Sequence, residues 1–163
     1  MGVRLPLGAY ICMISKDKYN EYMRKNKFNA EAYAECDGVS KTAVMNFLVK
    51  KGCKDVHENG QFDVDISFTS KKNIKYDADI EVRTNWDKEH FPFLTIHIPF
   101  RKEKFVLGSN NFMYFVVNKS ITRCLLCTKK DIVCSKIVTI KTPRMEEEYF
   151  YDVPIGCFTL HKF

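Results

Sequence analysis

Two short runs, Phe62-Asp-Val-Asp-Ile-Ser-Phe68 and Tyr76-Asp-Ala-Asp-Ile-Glu-Val-Arg83, alternate apolar and polar residues in the same phase. Alternation with period two marks a strand with one buried face, so both runs read as strands, joined by the polar connection Thr69 to Lys75. Strand parity then sorts the side chains. Phe62, Val64, Ile66 and Phe68 share one face of the first strand, opposite Asp63, Asp65 and Ser67. Ala78, Ile80 and Val82 share one face of the second, opposite Asp77, Asp79, Glu81 and Arg83. Paired as an antiparallel hairpin, the two strands gather carboxylates on one surface, where like charges facing each other are destabilising. Water on an open sheet face would screen them. A divalent cation would relieve them more directly, since Mg²⁺ is usually held by one or two carboxylates together with water and phosphate.

Outward from this hairpin the pattern is mixed. Upstream, Lys16 to Lys27 and Ala30 to Glu35 read as helical, the latter capped by Asn29, and Ser40 is placed to cap a helix over Lys41 to Lys51 that stops at Gly52. Val44, Phe47 and Leu48 follow the i, i+3, i+4 rule and give that helix one inward face. Downstream, strands are expected at Phe93 to Phe100, Phe112 to Asn118, Ile121 to Thr128 and Ile137 to Thr142, with Arg101 to Lys104 and Gly108 to Asn111 as exposed connections. Tyr149 to Phe163 is aromatic but has no clear period. The expected fold class is α+β: N-terminal helices over 1–52, a mixed, largely antiparallel central sheet over 60–145 and a C-terminal segment over 146–163, in one domain.

Composition bounds the function. The 163 residues carry 26 Lys and Arg against 20 Asp and Glu, a net charge of +6, and their 45% hydrophobic content is enough for a packed core without staples. No run of about 18 apolar residues is present, and the N-terminus has no convincing cleavage site, so neither a membrane partner nor secretion is expected and the chain reads as cytoplasmic. Seven cysteines scattered through apolar segments suit buried free thiols in a reducing compartment. Cys124 and Cys127 lie three apart within an expected strand and so point to opposite faces, which argues against a zinc site. The four histidines are scattered, and no Gly-rich phosphate loop is present, which counts against nucleotide triphosphate hydrolysis and nicotinamide chemistry.

The order of a helix, a strand led by Asp and then a strand bearing Glu81-Val-Arg83 resembles the PD-(D/E)XK nuclease superfamily over about residues 29–86. The resemblance implies a restriction-endonuclease-like fold and phosphodiester hydrolysis in DNA, assisted by Mg²⁺ or Mn²⁺. Asp65 would be the strand aspartate, with Asp63 as the competing register; Glu81 would be the acid of the triplet; Glu35, or less readily Glu31, the helix acid; and Asp79 a further metal ligand. The chain departs from the pattern at Arg83, which stands where the family has lysine. Arginine stays protonated near neutral pH, so it could stabilise a pentavalent transition state but not act as a base. Lys75, on the same strand face, and Lys102 are the candidates to replace that lysine.

Lysine clusters at element ends suit phosphate contacts, with Lys71, Lys72, Arg101, Lys102 and Lys104 as the nucleic-acid-binding candidates, DNA before RNA. Trp86 and the Phe91-Pro-Phe93 segment flank the hairpin and are placed to stack on a base. A homodimer would suit a small nuclease. The alternative is a non-catalytic nucleic-acid-binding or protein-interaction module that keeps a nuclease-like sheet; the third reading is an α+β domain whose acidic hairpin is merely solvated.

Overall fold

Helix α1 (Ala30–Lys50) opens the part of the chain described by the computed structural model, residues 30–142 and 146–163. The expected Lys16 to Lys27 helix and the Asn29 cap lie outside it. Residues Ala34–Phe163 form one compact unit. Helix α1 runs through Ser40, where a new helix start was expected. The Ser40 hydroxyl donates to the Asp37 carbonyl at 2.9 Å, and Thr42 does the same to Gly38 at 2.9 Å. Hydroxyls satisfied by the preceding turn have no need to cap, so the two expected helices are one. The helix ends as expected. Gly52 has φ +83°, and the Gly52 and Cys53 amides close back on the Val49 and Leu48 carbonyls.

Strands β1 (Lys54–Glu58), β2 (Ile66–Thr69) and β3 (Lys75–Arg83) follow as an antiparallel meander. In the hairpin Ile66 faces Ala78, Ser67 faces Asp77 and Thr69 faces Lys75. Strand β2 is shorter than the alternation predicts. Residues 59–65 instead form a loop closed by the Asn59 amide on the Asp65 carbonyl, and the Phe62 side chain is left 88% exposed. The chain then crosses over through β4 (Thr95–Pro99), a 3₁₀ turn (Phe100–Lys102) and α2 (Glu103–Gly108), and returns as β5 (Phe112–Asn118), parallel to β3. The expected exposed connection at Arg101 to Lys104 is therefore helical. After β5 come β6 (Arg123–Thr128), α3 (Lys129–Val133), β7 (Lys136–Ile140), β8 (Glu148–Pro154) and β9 (Thr159–Lys162).

Two sheets result, one ordered β1-β2-β3-β5-β6-β9 and one ordered β4-β8-β7, and β3 with β5 is the only parallel pair among the described residues. The fold is α+β with a mixed, largely antiparallel sheet. The six-stranded sheet has a core on each side. On one, Val44, Phe47 and Leu48 of α1 pack on Ile66, Phe68, Ala78, Ile80, Phe115 and Val117. On the other, Trp86, the β4 and β8 residues Ile96, Ile98, Tyr151 and Val153, and Val106 of α2 cover Phe112, Tyr114, Val116 and Leu125. Burial on both faces explains the nearly continuous apolar run of β5. Cys124 falls in the first core and Cys127 in the second, as strand parity requires. Burial pushes the Cys124 thiol up to about 12. Cys134 and Cys157, in contrast, are exposed.

The β5–β6 corner hangs on one side chain. Asn118 is fully buried; its Oδ1 accepts from the Thr122 and Arg123 amides, both at 2.9 Å, and its Nδ2 donates to Ser120 and Thr122 hydroxyls at 2.9 and 3.1 Å. Asn118→Ala would leave the part-buried Thr122 and Arg123 amides without their acceptor, a loss on the order of 1–2 kcal/mol. Urea denaturation should show this as a lower midpoint, with Asn118→Asp, which keeps the acceptor, losing less.

Candidate active site

The odd-numbered residues of β3 turn away from α1, so Asp77, Asp79 and Glu81 form a row on the side of the sheet that α2 and the second sheet cover. Asp79 lies in the middle and is 2% exposed. A buried carboxylate must be paired. Its Oδ1 accepts the Asp65 amide at 3.2 Å, and its Oδ2 accepts the Lys102 ammonium at 2.7 Å. Lys102 comes from the 3₁₀ turn before α2, and its ammonium also lies 5.5 Å from the centre of the Tyr114 ring.

Asp65 sits one residue before β2. Its Oδ2 accepts the Ile80 amide at 2.8 Å, beyond the last paired rung of β2 and β3, so the carboxylate takes a hydrogen bond that a longer β2 would have made. Its Oδ1 lies 3.3 Å from the Lys41 ammonium. The same ammonium reaches Asp37 at 2.9 Å and Glu58 at 3.2 Å, so a single lysine of α1 ties together carboxylates from the helix, β1 and the start of β2. Burial alone would lower the Lys41 pKa, but the Asp37 hydrogen bond and the charges of Asp65 and Asp37 outweigh it and raise it. Asp65 is held above the ordinary carboxylate range, by burial first and also by the Asp79 charge, against the Ile80 hydrogen bond and the nearby lysines.

Glu81 is held from two sides. Tyr114, its neighbour on β5, donates its hydroxyl to Oε2, and Arg83 Nε lies 3.0 Å from Oε1, as an ion pair outside hydrogen-bond geometry. The other end of Arg83 donates from Nη2 to the His97 carbonyl at 2.8 Å, so the guanidinium braces β3 against β4. Burial, with the Glu81 charge, pushes the Tyr114 phenol well above its ordinary value, which keeps it a donor. At the other end of the row, Asn59 donates to Ser67 at 2.8 Å and Ser67 to Asp77 at 2.7 Å. A cleft of about 320 Å³ opens there, lined by Asn59, Asp63, Ser67, Asp77, Lys104 and Phe105 among others.

The structure thus brings together Asp65, Asp79, Glu81, Arg83 and Lys102. Asp63 is exposed and its Oδ1 accepts the amide of Val64. Lys75 is exposed at the far end of β3, four residues from Asp79. Glu31 and Glu35 lie in the first turns of α1, where side chains are outside the described residues. Of the basic candidates, Arg101 pairs with Glu148 at 2.9 Å, and Lys104 lies over the Phe105 ring, while Lys71 and Lys72 are exposed. Trp86 is 1% exposed within the core, so it has no free face for a base; Phe93 is half exposed. Asp37, Lys41 and Tyr114 escaped the sequence reading. The i, i+4 spacing of Asp37 and Lys41 was a usable signal, but nothing in the apolar β5 run distinguishes Tyr114 from its neighbours.

Among the described residues no three or more carboxylate, imidazole or thiol side chains gather as a ready metal site. Comparisons with protein-family models, curated proteins and solved structures return no match.

The raised Asp65 pKa has a measurable consequence. The folded protein holds this proton more tightly than the unfolded chain, so ionising Asp65 costs stability; the cost is absent below the ordinary value of 3.8 and complete above the raised one. Asp65→Asn cannot ionise, yet its side-chain oxygen still accepts from Ile80. As pH rises from about 3.5 to about 6, the thermal midpoint of the wild type should fall relative to that of the variant. A constant difference across that range would contradict the assignment.

Proposed function

We propose that this chain is a metal-dependent nuclease that hydrolyses phosphodiester bonds in DNA, with Asp65, Asp79, Glu81 and Lys102 as its working residues. The observation that supports this reading is the Lys102 ammonium on Asp79 at 2.7 Å. The nuclease resemblance calls for a strand-leading aspartate, an acid on the next strand and a lysine. Asp65 leads β2, Asp79 and Glu81 lie on β3, and a lysine reaches Asp79 from the crossover rather than from the triplet position that Arg83 fills.

The donor set suits a hard dication. Its side chains offer only carboxylate oxygens, and two carboxylates suffice when water and phosphate complete the shell. Asp65 and Asp79, with Glu81 beside them, would hold Mg²⁺ or Mn²⁺, which would polarise a phosphate and lower the pKa of a water it binds. The remaining roles belong to the chain. Lys102, a mobile point charge on a long stem, is placed to move from Asp79 to a phosphate oxygen and offset its charge. Arg83 is engaged at both ends and holds Glu81 in place. Tyr114 supplies the second restraint on Glu81. Lys41 ties Asp65 to α1 and β1, while the Ile80 amide holds it against β3.

A second reading is favoured by one feature of the same geometry: Lys41, Lys102 and Arg83 already neutralise carboxylates that a metal would use. A non-catalytic nucleic-acid-binding module would keep such ion pairs permanently.

Cleavage of plasmid, single-stranded and branched DNA and of RNA, with Mg²⁺ or Mn²⁺ against EDTA, separates the two. The nuclease reading expects metal-dependent cleavage that falls on the order of 10²-fold or more in both Asp79→Asn and Lys102→Ala. No cleavage with either metal, alongside intact nucleic-acid binding, would establish the binding module instead.

A further inference from the structure

Two stretches of chain, 50–54 and 71–75, place lysines at one end of the sheet. Lys50 and Lys51 close α1, Lys54 begins β1, Lys71 and Lys72 stand in the β2–β3 turn, and Lys75 begins β3. The fold brings them together. Lys54 and Lys75 both pair across the ladder with Thr69 of β2, one on each side of that strand. The Lys71 side chain lies against Gly52, at the place where a Cβ would sit if residue 52 had one, so the turn folds back onto the end of α1. Asn73 supplies the left-handed residue, φ 60°, that the turn needs to do so.

All six lysines are exposed, and among the described residues none is ion-paired. Asp55 is the only acidic residue within 50–56 and 69–76. By contrast, Lys41, Arg83, Arg101 and Lys102 are all committed to carboxylates. Lys51 lies over the Phe47 ring at 5.4 Å, but among the described residues none of the six ammonium groups meets a carboxylate, so they repel one another and a polyanion relieves that repulsion. They are lysines, so they act as point charges on flexible stems and carry no bidentate preference.

We infer that this lysine end of the β2–β3 hairpin is a second phosphate-binding surface, which grips the backbone of a nucleic acid without reading its sequence. Its place relative to the acidic row supports a nucleic acid over other polyanions. Lys75 shares the β3 face of Asp77, Asp79 and Glu81 and lies four residues from Asp79, about 13 Å at strand rise. That is within reach of nearby phosphates of a single backbone. A continuous backbone can therefore run from these lysines to the cleft at the Asp77 end of the row. This surface deepens the nuclease reading but does not depend on catalysis, because gripping a phosphate needs neither Asp79 nor a metal.

The test is binding in EDTA, where cleavage is silent, of a fluorescein-labelled 24-base-pair DNA, a 24-nucleotide single-stranded RNA and anionic phosphatidylserine vesicles, each over a range of salt. For the duplex, the triple variant Lys71→Ala/Lys72→Ala/Lys75→Ala should reduce the slope of log affinity against log salt by about 2 to 3, and on the single strand by about 2. The triple arginine variant at these positions should restore it. Circular dichroism matched to wild type confirms that the alanine variant is folded. An unchanged slope in a folded alanine variant overturns the proposal, even if cleavage proves metal-dependent. Vesicle binding that falls with the same substitutions while nucleic-acid binding does not would overturn it in favour of a membrane surface. A reduced slope in a protein that never cleaves would uphold the surface while removing the nuclease.

Discussion

The arrangement of this molecule around β3 depends on one buried carboxylate. Asp79 is almost wholly withdrawn from water, and an ionised carboxylate there is tolerable only with partners on both oxygens. One partner is the amide of Asp65, which requires the chain to turn into β2 at that residue and no earlier. The other is Lys102, which requires the crossover between β3 and β5 to bring its 3₁₀ turn over the sheet. The length of β2, the placing of the crossover and the position of α2 thus share a common anchor. Removing either partner would leave charge in the core, the costliest kind of change a protein of this size can undergo.

The same strand explains why the molecule has two cores. The even residues of β3, Ala78 and Ile80, are covered by α1. Its odd residues are polar, yet the strands on their far side, β5 and β6, are apolar on that face as well and need a cover of their own. The second sheet, α2 and α3 supply it. The polar row therefore runs along the margin of a hydrophobic layer, where Tyr114 is packed at full depth yet still reaches Glu81 with its hydroxyl. Burial on one side and partial solvent access on the other is the environment in which a carboxylate such as Asp65 titrates away from its ordinary range.

Much of this was legible from local pattern. The inward face of α1 at Val44, Phe47 and Leu48, the Gly52 stop, the parity of the two acidic strands and the opposed facing of Cys124 and Cys127 are all consequences of a period, which a sequence carries. What escaped depends on tertiary contact. Alternation at Phe62 to Phe68 continues the strand pattern upstream, but the loop closure from Asn59 to Asp65 overrides it and strands Phe62 in solvent. Ser40 has the composition of a cap, and only the continuity of α1 shows that its hydroxyl is spent within the helix. Tyr149 to Phe163 has no single period because its two strands serve different sheets, β8 beside β4 and β7, and β9 beside β6. In the site, the acidic row could be read from parity, but the lysine that meets it is 23 residues away from Asp79 and no spacing rule connects them.

On the nuclease reading, charge ties the two ends of the hairpin to one function. Around the acidic row, the carboxylates Asp37, Glu58, Asp65, Asp77, Asp79 and Glu81 outnumber the cations Lys41, Lys102 and Arg83, so this region is negative in a chain whose net charge is +6. That excess attracts a cation and repels a phosphate on its own. The lysine end has the opposite balance and, on the same reading, would attract a phosphate backbone without help. On the nuclease reading the two steps are therefore separable: the lysines hold the strand at low cost in specificity, while a backbone phosphate approaches the carboxylates only in the company of a cation that cancels their field. Lys102 suits that transition because it is already a cation at the row and need only change partners, from Asp79 to the incoming phosphate. An arginine locked in a bidentate pair with Asp79 would resist that exchange, and Arg83, the arginine the chain does place on β3, is committed instead to bracing Glu81 and β4.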